Sequence, residues 1–298
     1  MTFQQLQYVL EVYREGSVSA AARKLFVGQP SISLSISSLE KELGYPVFIR
    51  LKDGVIPTAR GREMINHAAR ICESYRIITG PEQKGPVRVS IGGGQMECCR
   101  KVALQLVEEN KDRKDVFFRF AHTGRLPPIQ QVALFELDLW LKFAFAQQMQ
   151  MFESQFREKD LAWIELAEFP VAIHLGPGHR LYHAEKVDLA MLENDYFIDT
   201  PKEGMASNVI VNSVLPVRPD RVLVVEDSQL RTRLLEDGFG YVVKSAIPQE
   251  AELFRRIPLE NYKLKLLAIY NPSRPMRPEV ARYIELLRQE LDSWNEKA

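Results

Sequence analysis

Residues 17–44 read SVSAAARKLFVGQPSISLSISSLEKELG, which predicts two helices joined by a tight turn. The small residues at 20–22 allow two short helices to cross closely, and Gly28 permits a turn conformation that bulkier residues avoid. The second helix repeats apolar residues at helical spacing, so one of its sides is expected to face the core. These residues are Ile32, Ile36, Leu39 and Leu43.

The opposite face of the second helix is rich in hydroxyl groups. It carries Pro30, Ser31, Ser33, Leu34, Ser37 and Ser38. Serine is a poor helix former because its hydroxyl competes for nearby backbone groups, so this many serines need a reason. Hydroxyls can contact DNA phosphates and base edges at close approach, which predicts a DNA-contacting face. A plain solvated surface is the alternative.

The flanking residues complete a winged helix-turn-helix domain. Residues 45–51 and 55–58 read as two short strands joined by a Lys-Asp-Gly turn at 52–54. Residues 3–15 form an amphipathic helix that is expected to pack beneath the other two. Residues 1–87 contain eleven Lys or Arg and eight Asp or Glu, a net charge of +3 in a chain that is balanced overall. One module this weakly basic binds DNA weakly, and a dimer doubles the phosphate contacts.

A long helix is predicted from Thr58 to about residue 78. Its apolar residues alternate spacings of four and three, which is typical of the seam of a two-helix coiled coil. They are Met64, Ala68, Ile71, Tyr75 and Ile78. A helix packed on its own domain would show the same stripe. Glycine and proline in residues 80–86 then predict a hinge.

Residues 1–80 resemble the DNA-binding region of the LysR-type transcriptional regulators. The matching residues are Ser17, Ser19, Ala21, Ala22, Gln29, Pro30, Ser33, Leu39, Glu40, Leu43, Gly44, Phe48, Arg50, Thr58 and Gly61. The resemblance implies binding to double-stranded promoter DNA by Ser19, Gln29, Pro30, Ser31, Ser33, Leu34, Ser37, Arg50 and Lys52. Family members typically carry a basic or amide residue after the recognition-helix serine, where this chain has Leu34 and Ser35.

Residues 87–298 alternate strand-like and helix-like segments, which is typical of parallel-sheet units and of an α/β fold. The arrangement resembles the family's effector domain, which has two lobes of periplasmic-binding-protein type. The predicted divisions are a DNA-binding domain at 1–58, a linker helix and hinge at 59–86, lobe I at 87–163 and 265–298, and lobe II at 164–264. Strands are predicted at 87–91, 116–121, 137–143, 163–175, 196–199, 221–225, 240–244 and 264–270, and helices near 96–109, 126–135, 204–214, 228–236 and 278–294.

A ligand is expected between the lobes, where strand ends and helix N-termini converge. Gly92, Gly93 and Gly94 precede a helix, so bare backbone N–H groups would favour a carboxylate; the alternative is that the glycines only make a tight turn. The predicted effector contacts are Gly93, Gly94, Gln95, Met96, Thr123, Gly124, Asp199, Thr200, Pro201 and Phe239. Trp140, Phe143 and Phe145 either add aromatic surface there or pack in the core. The favoured effector is an aromatic or small organic acid.

Other residues suggest competing hypotheses. His174, His179 and His183 are close in sequence but have no nearby cysteine, so neither a metal nor a cofactor is expected. Cys98 and Cys99 begin a predicted helix, and a thiol-based redox regulator is one alternative function. A solute-binding protein that does not read DNA is another. Motifs of common enzymes, such as Gly-x-Ser-x-Gly or a P-loop, do not occur, so catalysis is not expected.

The sequence predicts a cytoplasmic protein. Apolar runs are too short to span a bilayer, and the predicted fold follows Met1 directly, without a signal peptide. Three cysteines also fit a reducing compartment. The resemblance further implies a homodimer or homotetramer, a small-molecule effector, contact with RNA polymerase at the promoter and no membrane partner.

Overall fold

The structure is a computed structural model that describes residues 1–79, 87–94, 96–121, 125–199, 219–246 and 253–295. The predicted hinge at 80–86 and the predicted helix near 204–214 lie outside these residues.

The amino-terminal head is a winged helix-turn-helix. It comprises α1 (Phe3–Glu15), α2 (Val18–Lys24), α3 (Gln29–Leu43), β1 (Phe48–Leu51) and β2 (Gly54–Pro57). Local capping explains the helix starts, because the Thr2 and Ser17 hydroxyls accept backbone N–H groups of α1 and α2. Ile32, Ile36 and Leu39 are buried in the head's core, which confirms the predicted inner face of α3.

The linker helix α4 (Ala59–Thr79) packs on its own head along its first half. Met64 and Ala68 are buried there, whereas Ile71, Tyr75 and Ile78 are 44%, 51% and 81% exposed. The prediction that the whole stripe is a coiled-coil seam is therefore wrong for its first half. Those two side chains pack in the core of the head. An apolar stripe in the sequence does not show whether a helix packs on a second linker helix or on its own domain.

One mixed sheet forms the rest of the molecule. Its strands are β3 (Val87–Gly93), β4 (Val116–Ala121), β5 (Leu139–Phe145), β6 (Ala162–Leu175), β7 (Tyr196–Asp199), β8 (Arg221–Val224), β9 (Gly240–Ser245) and β10 (Arg255–Tyr270). Their spatial order is β4-β3-β5-β10-β6-β9-β7-β8. The helices around it are α5 (Glu97–Glu109), α6 (Pro128–Ala133), α7 (Met149–Glu158), α8 (Ser228–Glu236) and α9 (Pro278–Asn295). The α/β class is confirmed.

The long strands β6 and β10 join the two halves of the sheet. They pair antiparallel from Arg255 against Leu175 to Tyr270 against Ala162, with a register shift between Leu259 and Lys263. The lobe divisions predicted at 164 and 264 fall inside these strands and remain predictions. β10 begins nine residues before the predicted start, because Pro258 and the positive-φ Asn261 interrupt the strand pattern without ending the pairing. The helix α7 was not predicted.

The head packs against lobe I. Leu126, Leu134 and Phe135, which flank and follow α6, join the apolar core of the head. Around this contact, Arg14 Nε lies 2.9 Å from Glu136 Oε1, and the Tyr13 hydroxyl donates to Gln130. Burying apolar surface between the two parts holds the head in one orientation, and the polar groups at the edge fix its register.

A buried ionic network fastens α4 to the sheet. Arg274 Nε donates to Glu73 Oε1 at 2.6 Å, and Arg274 Nη1 donates to Asp138 Oδ1, also at 2.6 Å. Asp138 Oδ2 in turn accepts the Ser90 backbone N–H of β3 at 2.8 Å. Burial by itself would raise the pKa of Glu73, but hydrogen bonds from Arg76 and Arg274 outweigh it and lower the pKa to about 2.

We expect Glu73→Gln to lower the free energy of unfolding by roughly 2 kcal/mol near neutral pH, because it removes a buried carboxylate that two guanidinium groups share. The folded pKa of about 2 lies below the ordinary value of 4.5. The stabilisation is therefore complete above that ordinary value and is lost as pH falls towards 2. Urea unfolding of both proteins at neutral and at acidic pH measures the difference, which should shrink in acid.

The matched control for this prediction is Glu63→Gln, which changes an exposed carboxylate on the same helix. It should shift the unfolding free energy by no more than about 0.5 kcal/mol. A Glu73→Gln protein that unfolds with wild-type stability at neutral pH would refute the role of the network.

Candidate nucleic-acid interface and ligand cleft

The outward face of α3 is open to solvent. Pro30 lies in its first turn, and Pro30, Ser31, Leu34, Ser37 and Ser38 are exposed, with Ser33 half-buried. Leu34 is 72% exposed, which is unusual for a leucine in a helix that buries three other aliphatic side chains. The face thus offers short hydroxyls around one projecting apolar side chain.

Contacts within the head orient the start of α3. The Ser19 hydroxyl of α2 donates to the Gln29 side-chain oxygen at 3.0 Å, so these two predicted DNA contacts lie side by side. Gly28 precedes α3 with φ −68° and ψ 135°, a conformation open to any residue, and makes no side-chain cap. The special turn conformation expected at Gly28 is therefore wrong, and the positive φ in this turn belongs to Phe26. The first turn of α3 is therefore accessible to an approaching ligand, with the positive end of the helix dipole behind it.

The wing places two cations beside this face of the domain. Arg50 and Lys52 are exposed, on β1 and in the turn that follows it. The Val55 N–H donates to the Gly16 carbonyl at 2.8 Å and ties the wing to the turn between α1 and α2. A Cβ on Gly54 would lie 2.4 Å from that same carbonyl, so only glycine permits this approach. The wing is held by backbone contact, and its basic side chains stay free.

The glycine segment at the carboxyl end of β3 packs closely against β5. Gly93 has φ +78°, and a Cβ there would lie 2.0 Å from the Leu141 carbonyl oxygen. The tight-turn interpretation of the glycines therefore has a physical basis, whether or not a ligand also binds. Met96, the N-cap residue of α5, is 7% exposed and belongs to the core of lobe I.

Strand register defines where a cleft between the lobes can lie. Gly93 is level with Leu141 of β5, and across β10 with Ile164 of β6. The carboxyl ends of β7 and β9 run towards the same middle part of β6 from the opposite direction. The carboxyl ends of β3 and β7 thus face each other across the long strands, which places Gly93 and the buried Asp199 on opposite walls.

Phe239 does not belong to that cleft. It is 57% exposed and precedes Gly240, which pairs with Tyr196 at the amino end of β7. Asp199 is at the other end of the same strand, so the predicted grouping of Phe239 with Asp199 is wrong. The reason is strand direction: β7 and β9 are parallel, and the residue before one is far from the residue after the other.

Residues at the carboxyl end of β9 face the cleft and were missed. Ser245 pairs with Val171, and the Ala246 N–H donates to the Pro170 carbonyl at 2.8 Å. No sequence signal marked them, because their position depends on pairing with a strand about 70 residues earlier. Other predicted effector contacts lie outside the described residues, and these are Gln95, Thr123, Gly124, Thr200 and Pro201.

The aromatic residues near the crossover pack mainly in the interior. Phe145 is 8% exposed in the core of lobe II, and the ring of Phe143 lies 6.2 Å from that of Phe169. Trp140 packs at the edge of a third cluster, with Lys142 Nζ 5.0 Å from its ring centroid. The core-packing alternative explains these three residues.

The two adjacent cysteines are buried together. Cys98 and Cys99 are 0% and 3% exposed, and their sulfurs lie 4.0 Å apart. The hydrogen bond between the thiols, together with burial, raises the pKa of Cys98. The same hydrogen bond lowers the pKa of Cys99, against the effect of burial. Both side chains pack in the core of lobe I.

The three histidines have separate surroundings. His174 Nε2 lies 2.9 Å from the Ser245 carbonyl, and burial lowers its pKa to about 3. His179 Nε2 lies 3.3 Å from Asp195, while its Nδ1 accepts the Leu181 N–H. Within the described ranges, no three His, Cys, Asp or Glu side chains are grouped as a metal site would require. The same residues form no helix that is both long and apolar enough to cross a membrane.

Two family profiles match the chain at the regions just described. Residues 3–62 match the "Bacterial regulatory helix-turn-helix protein, lysR family", and residues 149–292 match the "LysR substrate binding domain". The first region contains α3 and the wing, and the second contains the long strands that carry the cleft. Both profiles come from one family.

Individual relatives agree with these profiles. The regulator ClcR of Pseudomonas putida is 42% identical over 77 residues, which cover 26% of this chain and 26% of ClcR. The chain thus matches about a quarter of the length of that relative. The RuBisCO operon transcriptional regulator of Allochromatium vinosum is 22% identical over 97% of this chain and 96% of its own.

Solved structures show the same overall fold. Full-length OxyR from Pseudomonas aeruginosa superimposes with a TM-score of 0.64 at 20% identity, covering 97% of each chain. The profiles, the relatives and this shared architecture confirm the resemblance inferred from Ser17 to Gly61: the chain belongs to the LysR family of transcriptional regulators.

Proposed function

We propose that this protein regulates transcription by binding double-stranded promoter DNA through α3 and the wing, under the control of a small molecule bound between the lobes. The observation that carries the proposal is the outward face of α3, where Pro30, Ser31, Leu34 and Ser37 are exposed beside Gln29. Helix-turn-helix proteins place the second helix in the major groove with the residues of its first turns against the base edges.

The charge distribution supports this orientation. Arg50 and Lys52 extend from the wing, and Arg23 is exposed at the end of α2. Exposed cations flanking a polar helix face are suited to the phosphates on either side of a groove. In this arrangement, cations supply affinity that is independent of sequence, and α3 supplies the discrimination among bases.

The exposed part of the linker helix supports a homodimer. Ile71, Tyr75 and Ile78 form an apolar stripe on the second half of α4, and each is at least 44% exposed, although the Tyr75 ring contacts Phe3 of α1. Pairing with the same stripe of a second chain would bury it and bring two heads to one DNA site. A homotetramer is the further possibility within the family. Contact with RNA polymerase at the promoter and a cytoplasmic location belong to the same proposal.

The effector that we propose is a small organic acid, with no resident metal or cofactor. The support is the carboxyl end of β3, which leads into the N-terminus of α5. Backbone N–H groups and the helix dipole at such a junction favour a negative charge. A solute-binding protein that does not read DNA is the competing interpretation, and the same experiments separate the two.

We expect the double variant Arg50→Gln, Lys52→Gln to weaken binding to all DNA sequences and to flatten its salt dependence. Each lost phosphate contact should reduce the slope of log K against log salt by about 1. Fluorescence anisotropy with the protein's own upstream intergenic DNA, titrated over a series of salt concentrations, measures both quantities. The solute-binding interpretation predicts no binding above background for either protein.

The matched control for the wing variant is Arg157→Gln, Lys186→Gln, which removes two exposed cations far from the head in sequence. Its salt slope should equal that of the wild type. Equal slopes for the wing variant and the wild type would remove the wing from the DNA interface.

Leu34 should discriminate thymine by its methyl group. A leucine cannot hydrogen-bond to a base, but it can pack on the thymine 5-methyl group in the major groove. Replacing the contacted thymine by deoxyuracil should weaken wild-type binding by about three- to fivefold, since one methyl contributes about 0.8 kcal/mol. Leu34→Ala should bind both DNAs equally.

The conservative variant Leu34→Met should keep the preference for thymine, because it keeps an apolar side chain of similar volume. Each thymine of the protected site is replaced in turn, and affinities are measured by anisotropy. If Leu34→Ala keeps the wild-type sensitivity at every thymine, the side chain does not contact a methyl group.

The effector should change DNA affinity and obey reciprocity. Among aromatic and aliphatic carboxylic acids, at least one should alter the dissociation constant for promoter DNA, and DNA should alter the affinity for that acid by the same factor. Calorimetry and anisotropy measure the two factors. Benzamide and the other corresponding amides, which lack the charge, serve as controls. An acid that binds without affecting DNA binding would favour the solute-binding interpretation.

A further inference from the structure

A second cleft lies between the head and lobe I. Its volume is about 500 Å³, within the range of small-molecule sites. Four cationic residues line it: Arg14 of α1, Lys24 of α2, Arg119 of β4 and Arg125. It is formed by the docking of the head, and so it is distinct from the cleft at the carboxyl ends of β3 and β7.

Two of these cations are neutralised by carboxylates. Arg14 Nε lies 2.9 Å from Glu136, and Lys24 Nζ lies 2.7 Å from Glu15. Lys24 also contacts the buried Glu11 at 2.6 Å. On this side of the cleft Glu11, Glu15 and Glu136 outnumber Arg14 and Lys24, so the group carries one negative charge.

The other two cations have no carboxylate partner among the described residues. The guanidinium group of Arg125 donates to the backbone carbonyls of Tyr13 and Arg14. It packs over Gly16, where a Cβ would meet it and where φ is +63°. Arg119 is half-buried, and no hydrogen bond or ion pair joins its guanidinium group to another part of the described chain. Arg119 and Arg125 therefore bring the charged groups at this cleft to a net charge of +1, which favours a bound anion.

An unsatisfied acceptor lies in the same wall. Gln131 of α6 is 3% exposed and lines the cleft. Its Nε2 donates to the Leu126 carbonyl at 2.7 Å, whereas its Oε1 is buried without a donor in the described structure. A buried carbonyl oxygen without a hydrogen bond is costly, so a ligand that offers an O–H there gains affinity.

We propose that this cleft binds a small oxyanion that carries its own O–H donor, of the phosphate or hydroxycarboxylate type. The negative oxygens lie against Arg119 and Arg125, and the O–H donates to Gln131 Oε1. The ligand touches both the head and lobe I, so its binding stabilises the docked position of the head. The site thus gives the protein a second ligand input, and the ligand can bind when DNA is absent.

The test compares two pairs of anions that differ in the O–H. At neutral pH hydrogen phosphate carries a proton and sulfate does not, and malate carries a hydroxyl that succinate lacks. Calorimetry on the full-length protein without DNA should show phosphate or malate binding roughly tenfold more tightly than its partner. A preference in the first pair identifies a phosphate-type ligand, and a preference in the second a hydroxycarboxylate.

Three variants locate the binding. Arg119→Gln should weaken binding of the preferred anion by roughly tenfold or more, because it removes a side-chain cation that has no carboxylate partner. Gln131→Met should abolish the preference within each pair while leaving weaker binding of both members. Arg157→Gln, with the same change in net charge at an exposed position of α7, should bind as the wild type does.

Circular dichroism of each variant confirms that it is folded. The proposal is overturned if the wild type shows no preference within either pair, or if Arg119→Gln binds the preferred anion as tightly as the wild type. It is overturned in its assignment of Gln131 if Gln131→Met keeps the preference. Because DNA is absent, none of these outcomes depends on whether the protein regulates transcription.

Discussion

The antiparallel pairing of β6 with β10 is the constraint on which the rest of the structure depends. Both strands run through the two halves of the sheet, so each half takes its position from the same pair of backbones. Their pairing sets β3 and β5 running one way and β7 and β9 the other. The carboxyl ends of these strands therefore face each other across β6 and β10, which is where we propose the effector cleft.

The head is joined to this sheet by contacts of different kinds. Leu134 and Phe135 extend the core of the head into lobe I, which supplies a non-directional attraction. Glu73 and Arg274 add a directional one, because a buried carboxylate requires its partners in place. Asp138 extends that network to Ser90 of β3, three residues before Gly93. A change at the cleft and a change in the position of α4 therefore involve one connected set of bonds.

Much of the head could be predicted because its determinants are local. The capping residue Ser17 and the apolar period of α3 each act within a few residues of the elements that they define. The exposure of Leu34 followed from the same period. Prediction failed where one apolar stripe fits two packing arrangements. Met64 and Ala68 could be buried either by a second linker helix or by their own head, and the head buries them.

The candidate ligand sites were less accessible to sequence reasoning. The glycines at the end of β3 were recognisable, but the close approach of Gly93 to Leu141 depends on a strand almost 50 residues later. Phe239 was placed wrongly because neither segment's sequence shows that β9 runs parallel to β7. No sequence pattern indicated the cleft that Arg119 and Gln131 line, because its residues come from four separate elements.

The sequence by itself determined the local elements, the outward face of α3 and the family to which the chain belongs. These properties depend on side-chain size, backbone preference and spacing within about 15 residues, which a single sequence displays directly. Only the tertiary structure decided which strand ends face each other, which half of α4 is covered and which residues line the cleft beside Arg119. Those outcomes follow from pairings between distant segments, whose energies depend on the packing of the whole chain.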